Sequence, residues 1–596
     1  NSTYTGNTLL EGGTLTLGSD NALGGSTLRT TGSVVDYVDG VDISNSIVID
    51  SNTTQFQVLT GSATQSGVIS QDNGPRPFEK IGDGELILTA ANTWTGETTI
   101  SAGTLTFDGG SLSLAALNYS YIGRNDGDNG TLNIINGGSV SSPFAYIGED
   151  AGSVGTVTVS GAGSVMTNSA ETIVGRSGTG TLNIEDGGEV TSTRSWIGRF
   201  AGSNGTATVT GADSLWTHST YLVVGTAGEG ELTISDEGRV EVADQGIWIA
   251  EVADSTGTIT VTGAGSSLVN TGSALRVGNA GSGTLTIENG ANVSNTQGIL
   301  GASAGSNGTA TVTGAGSIWT NTGNLFVGNS GTGTLTIDNG GLVENTDGVI
   351  GSILGAVGTI TVTGAGSQWI NSTNLFVGSS GTGTLTIDNG GLVENTDGVI
   401  GSILGAVGTV TVTGAGSQWI NSGNLFVGSS GNGTLTIENG GRLENAIGRI
   451  GLGTGSTSDV TVTGAGSEWI NTSSLFVGNS GTGTLAIESG GRVENTVGSI
   501  GLNLGSVGTV TVTGAGSEWI NSAEVRVGNS GDATLTIENG GLVSATNLTI
   551  GGNATGTGTI NFGAAAGDAA AAAGTLDTPT ITFGPGTGTI VFNHTD

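Results

Sequence analysis

The stretch GTLTIDNGGLVENTDGVIGSILGAV (Gly333–Val357) runs directly into GTITVTGAGSQWINSTNLFVGSSGT (Gly358–Thr382). The two halves share a plan. Each opens on Gly-Thr, alternates threonine with aliphatic residues, crosses a glycine-rich corner and then shows two further short apolar-containing runs. Alternation of period two marks a strand with one buried face. A half of about 25 residues is too short to enclose a core alone, so its apolar edge must be covered by copies above and below. The pair therefore reads as two turns of an all-β parallel β-helix (β-solenoid), about 25 residues per turn, with three short strands in each.

The same phrase recurs along the chain. G-T-L-x-I or a close variant starts at Gly130, Gly180, Gly230, Gly283, Gly333, Gly383, Gly433, Gly483 and Ala533, in steps of 50 with one of 53. The irregular step contains Ala250–Ser255, which reads as a small loop insertion. Residues 331–372 and 381–422 differ only at Ile360 and Val410. Such copying multiplies a surface; it does not build one unique pocket.

Aligned residues form columns. Val140, Val190, Val240, Val293, Val343, Val393, Leu443, Val493 and Val543 share an inward position, and Ile350, Ile400, Ile450, Ile500 and Ile550 another. Trp216, Trp319, Trp369, Trp419, Trp469 and Trp519 share a column with Leu268 and Met166. Replacement of tryptophan by Leu and Met indicates packing, and Trp369 aligns with the inward Val343. Asn345, Asn395, Asn445 and Asn495, matched by Asn371, Asn421, Asn471 and Asn521, can run side-chain amides from turn to turn.

Three regions are expected: irregular turns over 1–129, regular 50-residue repeats over 130–558, and a terminal segment over 559–596 with an Ala-rich loop at 564–573. A short helix is the alternative reading of that alanine run.

Composition narrows the partners. The net charge is −36, with one lysine (Lys80) and twelve arginines. Nucleic acid and anionic membranes are poor partners for such a surface. There is no cysteine, which excludes thiolate metal sites and disulfides. No apolar run is long enough for a membrane-spanning helix. Glycine is 115 residues and proline only 5, which excludes collagen.

Gly82–Leu105 reads GDGELILTAANTWTGETTISAGTL, preceded by ATQSGVIS at Ala63–Ser70. This stretch (82–105) resembles the passenger-associated transport repeat of bacterial autotransporters. The T-G-A-G-S-x-W phrases at Thr363–Trp369, Thr413–Trp419, Thr463–Trp469 and Thr513–Trp519 resemble the repeats of type V secretion passengers, as does the tail Gly574–Asp596. The resemblance implies a right-handed parallel β-helix exported to the surface of a Gram-negative bacterium, with a signal peptide and a C-terminal outer-membrane β-barrel outside this stretch; that missing barrel would be the only membrane contact. It further implies an adhesin or self-associating protein, whose partners are a host or neighbouring-cell surface protein or glycan, or another copy.

Candidate chemistry is sparse. The two histidines, His218 and His594, lie far apart, and repetition gives no reason to place the partners of a Ser-His-Asp triad around His218. Neighbouring carboxylates such as Glu149 and Asp150 point to opposite faces of a strand. No enzymatic activity, catalytic residue, metal ligand set or cofactor is expected; Asp126–Asn129 reads as a solvated turn, with an isolated calcium site as the alternative. The binding residues singled out are a lateral stripe: Ile370, Ile420, Ile470 and Ile520 alternating with Glu344, Glu394, Glu444 and Glu494, an apolar and acidic strip suited to lateral contact. Two further readings stand beside adhesion: a structural spacer that displays another domain, and an ice- or glycan-binding face built from outward Thr-x-Thr pairs such as Thr334 and Thr336.

Overall fold

The computed structural model describes residues 2–595, which form strands and turns with no helix among them. The chain divides into two units, Asn1–Thr296 and Gln297–Asp596.

In the second unit each turn lays down three strands. A first-face strand, Thr332–Asp338, is followed by a second-face strand, Leu342–Asn345, and a third-face strand, Gly348–Ile350. The next turn repeats them as Val357–Thr363, Gln368–Asn371 and Leu375–Val377. Every strand pairs in parallel with its own equivalent: Leu335 lies opposite Ile360, Val343 opposite Trp369, and Ile350 opposite Val377. This is a β-solenoid, and its hydrogen bonds run from turn to turn because strands this short have no partner within their own turn.

The corners explain the sequence phrases. Asn339 and Gly340 both adopt positive φ, 50° and 89°. Asparagine tolerates that region and glycine enters it freely, so the chain reverses sharply after the first face. In T-G-A-G-S-x-W the serine is a brace. The Ser367 hydroxyl accepts a 3.0 Å hydrogen bond from the Gly340 amide of the preceding turn. Ser417, Ser467 and Ser517 do the same for Gly390, Gly440 and Gly490.

Leu335, Ile337, Val343 and Ile350 are fully buried, as are Ile360, Val362, Trp369, Leu375 and Val377 on the next turn. Trp369, Trp419, Trp469 and Trp519 are therefore core residues. The asparagine columns do not form one continuous ladder. They close in pairs: Asn345 Nδ2 donates to Asn371 Oδ1 (2.7 Å), and the Trp369 indole donates to Asn345 Oδ1 (2.7 Å). Asn371 Nδ2 then donates to the Glu394 carbonyl (3.3 Å), one turn further on. The indole N–H takes the acceptor that a second asparagine would have used. Each buried tryptophan thus finds the partner its N–H needs.

The first unit has the same three faces from its beginning. Leu28 pairs with Thr8, Ile47 with Leu28 and Ile69 with Ile47, separations of 20, 19 and 22 residues, so the early turns are shorter than 25. Between Ser139 and Val224 the second and third faces join into long strands with a register shift at the bend, as in Ser139–Ile147 and Glu189–Ile197.

One expectation is corrected here. The 53-residue step is not an insertion at Ala250–Ser255. Ile249 is equivalent to Ile197 and Thr256 to Asn204 through their shared pairing partners, so this loop has its ordinary length. The added residues lie in the bends between second and third faces. Residue 193 alone joins Ser192 to Arg194, whereas 243–245 join Val242 to Gly246, which adds two residues; the third is added where 271–274 join Asn270 to Leu275, a bend spanned by 219–221 between His218 and Leu222. The bend stands outside the ladder, so lengthening it disturbs neither pairing nor core register. Residues 564–573 form an irregular loop, without helix, between Thr557–Gly563 and Thr575–Asp577.

Candidate functional site

The structure brings all eight stripe residues into one column on the second face. Glu344 lies opposite Ile370, Ile370 opposite Glu394, and Glu394 opposite Ile420. The alternation continues through Glu444, Ile470 and Glu494 to Ile520. Their side chains alternate with the buried Val343/Trp369 and Asn345/Asn371 columns, so they face outward, and all eight are half-buried. Two arginines join the edge of the strip. Arg442 pairs with Glu444 and stands 3.9 Å from Glu468; Arg492 repeats this with Glu494 and Glu518. The strip therefore changes from purely acidic and apolar to partly neutralised along its length.

The threonines form a second array, on the first face. One column runs through Thr309, Thr334, Thr359, Thr384, Thr409 and Thr434, with Thr311, Thr336, Thr361, Thr386, Thr411 and Thr436 beside it. Asp459 then interrupts the first column and Ala486 the second.

His218 occupies the column position that asparagine fills elsewhere, opposite Ser192 and Val242. It is buried, its ring lies 4.7 Å from that of Trp216, and Nδ1 is 3.3 Å from the Glu241 carbonyl. Burial pushes its pKa down to about 3, which keeps the ring neutral. It is a packing residue. In the Asp126–Asn129 turn, Asp128 accepts from the Arg124 and Asn125 amides (3.2 and 2.9 Å), so its carboxylate caps the turn.

Three features escaped the sequence reading. On the third face, Leu375 and Val377 point inward, which obliges Phe376 to point out; it sits in a column Phe326–Val349–Phe376–Val399–Phe426. The alternation in L-F-V could have revealed this. In the first unit the outward third-face positions carry an aromatic and arginine cluster. Tyr119 stacks on Phe144 (4.6 Å), Trp248 packs beside Tyr221 (5.2 Å), and the Arg199 guanidinium sits over Trp196 (4.2 Å). These rings bury Ile173 and Val223 completely, so the cluster is a satellite core on the outside of the sheet. Glu171 anchors it by pairing with Arg194 and Arg199. Finally, the single lysine is caged. Lys80 Nζ donates to the carbonyls of Ile81, Gly82, Gly84 and Ala102 at 3.0, 2.8, 2.8 and 3.2 Å. Desolvation lowers its pKa to about 8. The ammonium ties the corner of one turn to the next.

That caged corner falls inside residues 78–107, which match the family profile described as Passenger-associated-transport-repeat. There the chain is similar to the passengers of autotransporters. A stretch of 117 residues in this chain is 32% identical to the Adhesin BmaC autotransporter of Brucella suis biovar 1 (strain 1330); the match takes in 20% of the chain and 3% of that much longer protein. A crystal structure of the TibC-catalysed hyper-glycosylated TibA fragment aligns with 76% of this chain and 99% of its own, at 14% identity and a TM-score of 0.22. A score that low supports no inference. The transport repeat and the Brucella relative imply a cell-surface or secreted location in a Gram-negative bacterium.

Proposed function

We propose that this passenger is a non-enzymatic adhesin, held at the outer membrane of its cell, whose second-face strip contacts a protein or glycan on a host or neighbouring cell. The single observation that carries the reading is the strict column of Glu344, Ile370, Glu394, Ile420, Glu444, Ile470, Glu494 and Ile520. Repetition at two-turn intervals offers the same weak contact several times over, and linked weak contacts add through effective concentration. The acidic half of the strip favours a partner with basic or hydrogen-bond-donating groups, and the isoleucines supply apolar area.

The test is adhesion of cells or beads carrying the passenger, with Ile370, Ile420, Ile470 and Ile520 changed to serine one at a time and together. Adhesion should fall stepwise with each change. Undiminished adhesion by the fourfold variant would overturn the stripe and favour a spacer that only displays another domain. The threonine array favours a second reading, glycan or ice binding by the first face, because its two columns run unbroken from Thr309 to Thr436. Thr→Lys changes there, with adhesion and thermal hysteresis both measured, separate that reading from the first.

A further inference from the structure

The loops that join the third face to the next first face alternate in height. In the turn 351–357, Ile353 is 48% exposed and Leu354 84%; in 401–407, Ile403 is 51% and Leu404 84%. The loop between these two, 378–382, is Gly-Ser-Ser-Gly-Thr, with Gly378 and Gly381 buried and the serines half-buried. Protruding apolar loops thus alternate with recessed loops of small residues. Neighbouring turns stack about 4.8 Å apart, so the knobs recur every ~9.6 Å with a shallow gap between them. The pattern returns at Leu504, 74% exposed, after one loop, 451–457, in which Thr454 stands at the leucine position.

Leucines this exposed on consecutive repeats are not ordinary surface residues. Their surroundings are equally unusual. The chain carries a charge of −36, yet the loops 351–357, 378–382, 401–407 and 428–432 contain no charged residue. The outward third-face column from Phe326 to Phe426 contains none either.

We propose that this knob-and-gap edge associates with the same edge of a second copy of the chain through an isologous two-fold contact. Two arguments select that occupant. A partner that fills every gap must carry knobs of the same ~9.6 Å period, and this chain has that period by construction. A second copy brings its own −36, and this uncharged edge is where like-charge repulsion between copies is weakest. A two-fold axis lets each Leu354 and Leu404 enter gaps floored by Ser-Ser-Gly on the partner. The contact does not rest on the second-face strip and uses none of its residues.

The experiment is sedimentation equilibrium of the full chain while NaCl is raised from about 0.05 to about 0.5 M, which screens the net charge. Dimer should appear and increase with salt. Leu354→Ser with Leu404→Ser should weaken association about tenfold or more, with an unchanged thermal melt, since both side chains are exposed. Ile370→Ser with Ile420→Ser should leave association intact, even where it abolishes cell adhesion. Because the chain lacks cysteine, a variant with Leu354→Cys and Leu404→Cys reports the geometry directly. Two turns separate these residues, too far for a disulfide within one chain, so mild oxidation should give covalent dimers, and Thr336→Cys with Thr386→Cys should not. A chain that stays monomeric at all salt concentrations, or leucine variants that associate like the parent, would overturn the proposal. So would loss of association in the isoleucine variant.

Discussion

The sharpest test of the packing logic is a pair of changes at Gly398 and Trp419. Gly398 begins a third-face strand, next to the indole of the following turn. A β-carbon there would stand 2.5 Å from Asn421 Oδ1 and 2.9 Å from both Trp419 Cζ2 and Leu425 Cδ1. Gly398→Ala therefore overpacks the core and should cost roughly 1–3 kcal/mol. Trp419→Val removes a fully buried indole and leaves Asn395 Oδ1 without its 2.7 Å donor. Truncating a buried tryptophan costs about 3–5 kcal/mol when cut to alanine, and valine recovers part of that, so about 3–4 is expected. If the two residues share one space, the double variant must be less damaging than the sum. The new methyl enters volume the indole vacated, although the contact with Asn421 remains. A favourable coupling of about 1 kcal/mol is expected, beyond the ~0.5 within which independent sites add. The measurement is native-state hydrogen exchange of amides between residues 393 and 425 in increasing urea, because each turn of a solenoid reports on its neighbours rather than on the whole chain. Strict additivity, or a neutral Gly398→Ala, would refute the claim that glycine is there to admit tryptophan. The near-identical site at Gly348 and Trp369 provides an internal replicate.

Two further outcomes follow from buried titratable groups. His218 has its folded pKa lowered to about 3 by burial, below the ordinary value of 6.5. The unfolded chain then binds a proton that the folded chain refuses, so stability near residues 191–271 should fall as pH drops from about 6.5 towards 3, by at most a few kcal/mol; His218→Asn should flatten this slope in exchange protection measured across that range. Lys80→Met leaves four carbonyls of the transport repeat without their donor. A loss on the order of 3 kcal/mol is expected, seen as raised exchange and earlier proteolysis within residues 78–107, and an unchanged pattern would show that water replaces the ammonium freely.

Much of this architecture was legible because repetition turns weak local signals into columns. A single Thr-Leu-Thr-Ile run is ambiguous, but nine aligned copies fix which residues face in. Substitution within a column was also informative: Met166 and Leu268 standing where Trp369 stands elsewhere identified a packing position, and the indoles are buried. What the sequence withheld were features that leave the periodic part. The residues added in the bends 243–245 and 271–274 carry no pattern, whereas the conspicuous Ala250–Ser255 loop has its normal length. Leu354 and Leu404 look like core residues by type, and only the height of the loop places them in solvent. The caged Lys80 depends on carbonyls from two turns, which no spacing rule reveals.

The period of 50 rather than 25 has a physical cause in the same residues. An indole in the Trp419 position reaches across its own turn and presses on the turn beside it, where Gly398 supplies the room. Its N–H also requires the Asn395 acceptor of the neighbouring turn, while Asn421 must turn the other way to find the Glu444 carbonyl. A turn that carries tryptophan therefore needs a neighbour that carries valine or leucine, glycine and an asparagine in the complementary pose. Two unlike turns become the smallest unit that can be copied without a clash or an unpaired polar atom. Outer residues inherit that alternation whether or not they benefit from it: glutamate beside isoleucine on the second face, protruding leucine beside recessed serine on the loops. Surface periodicity in this protein is thus first a consequence of core packing, and any binding that uses it must match a two-turn spacing set from inside.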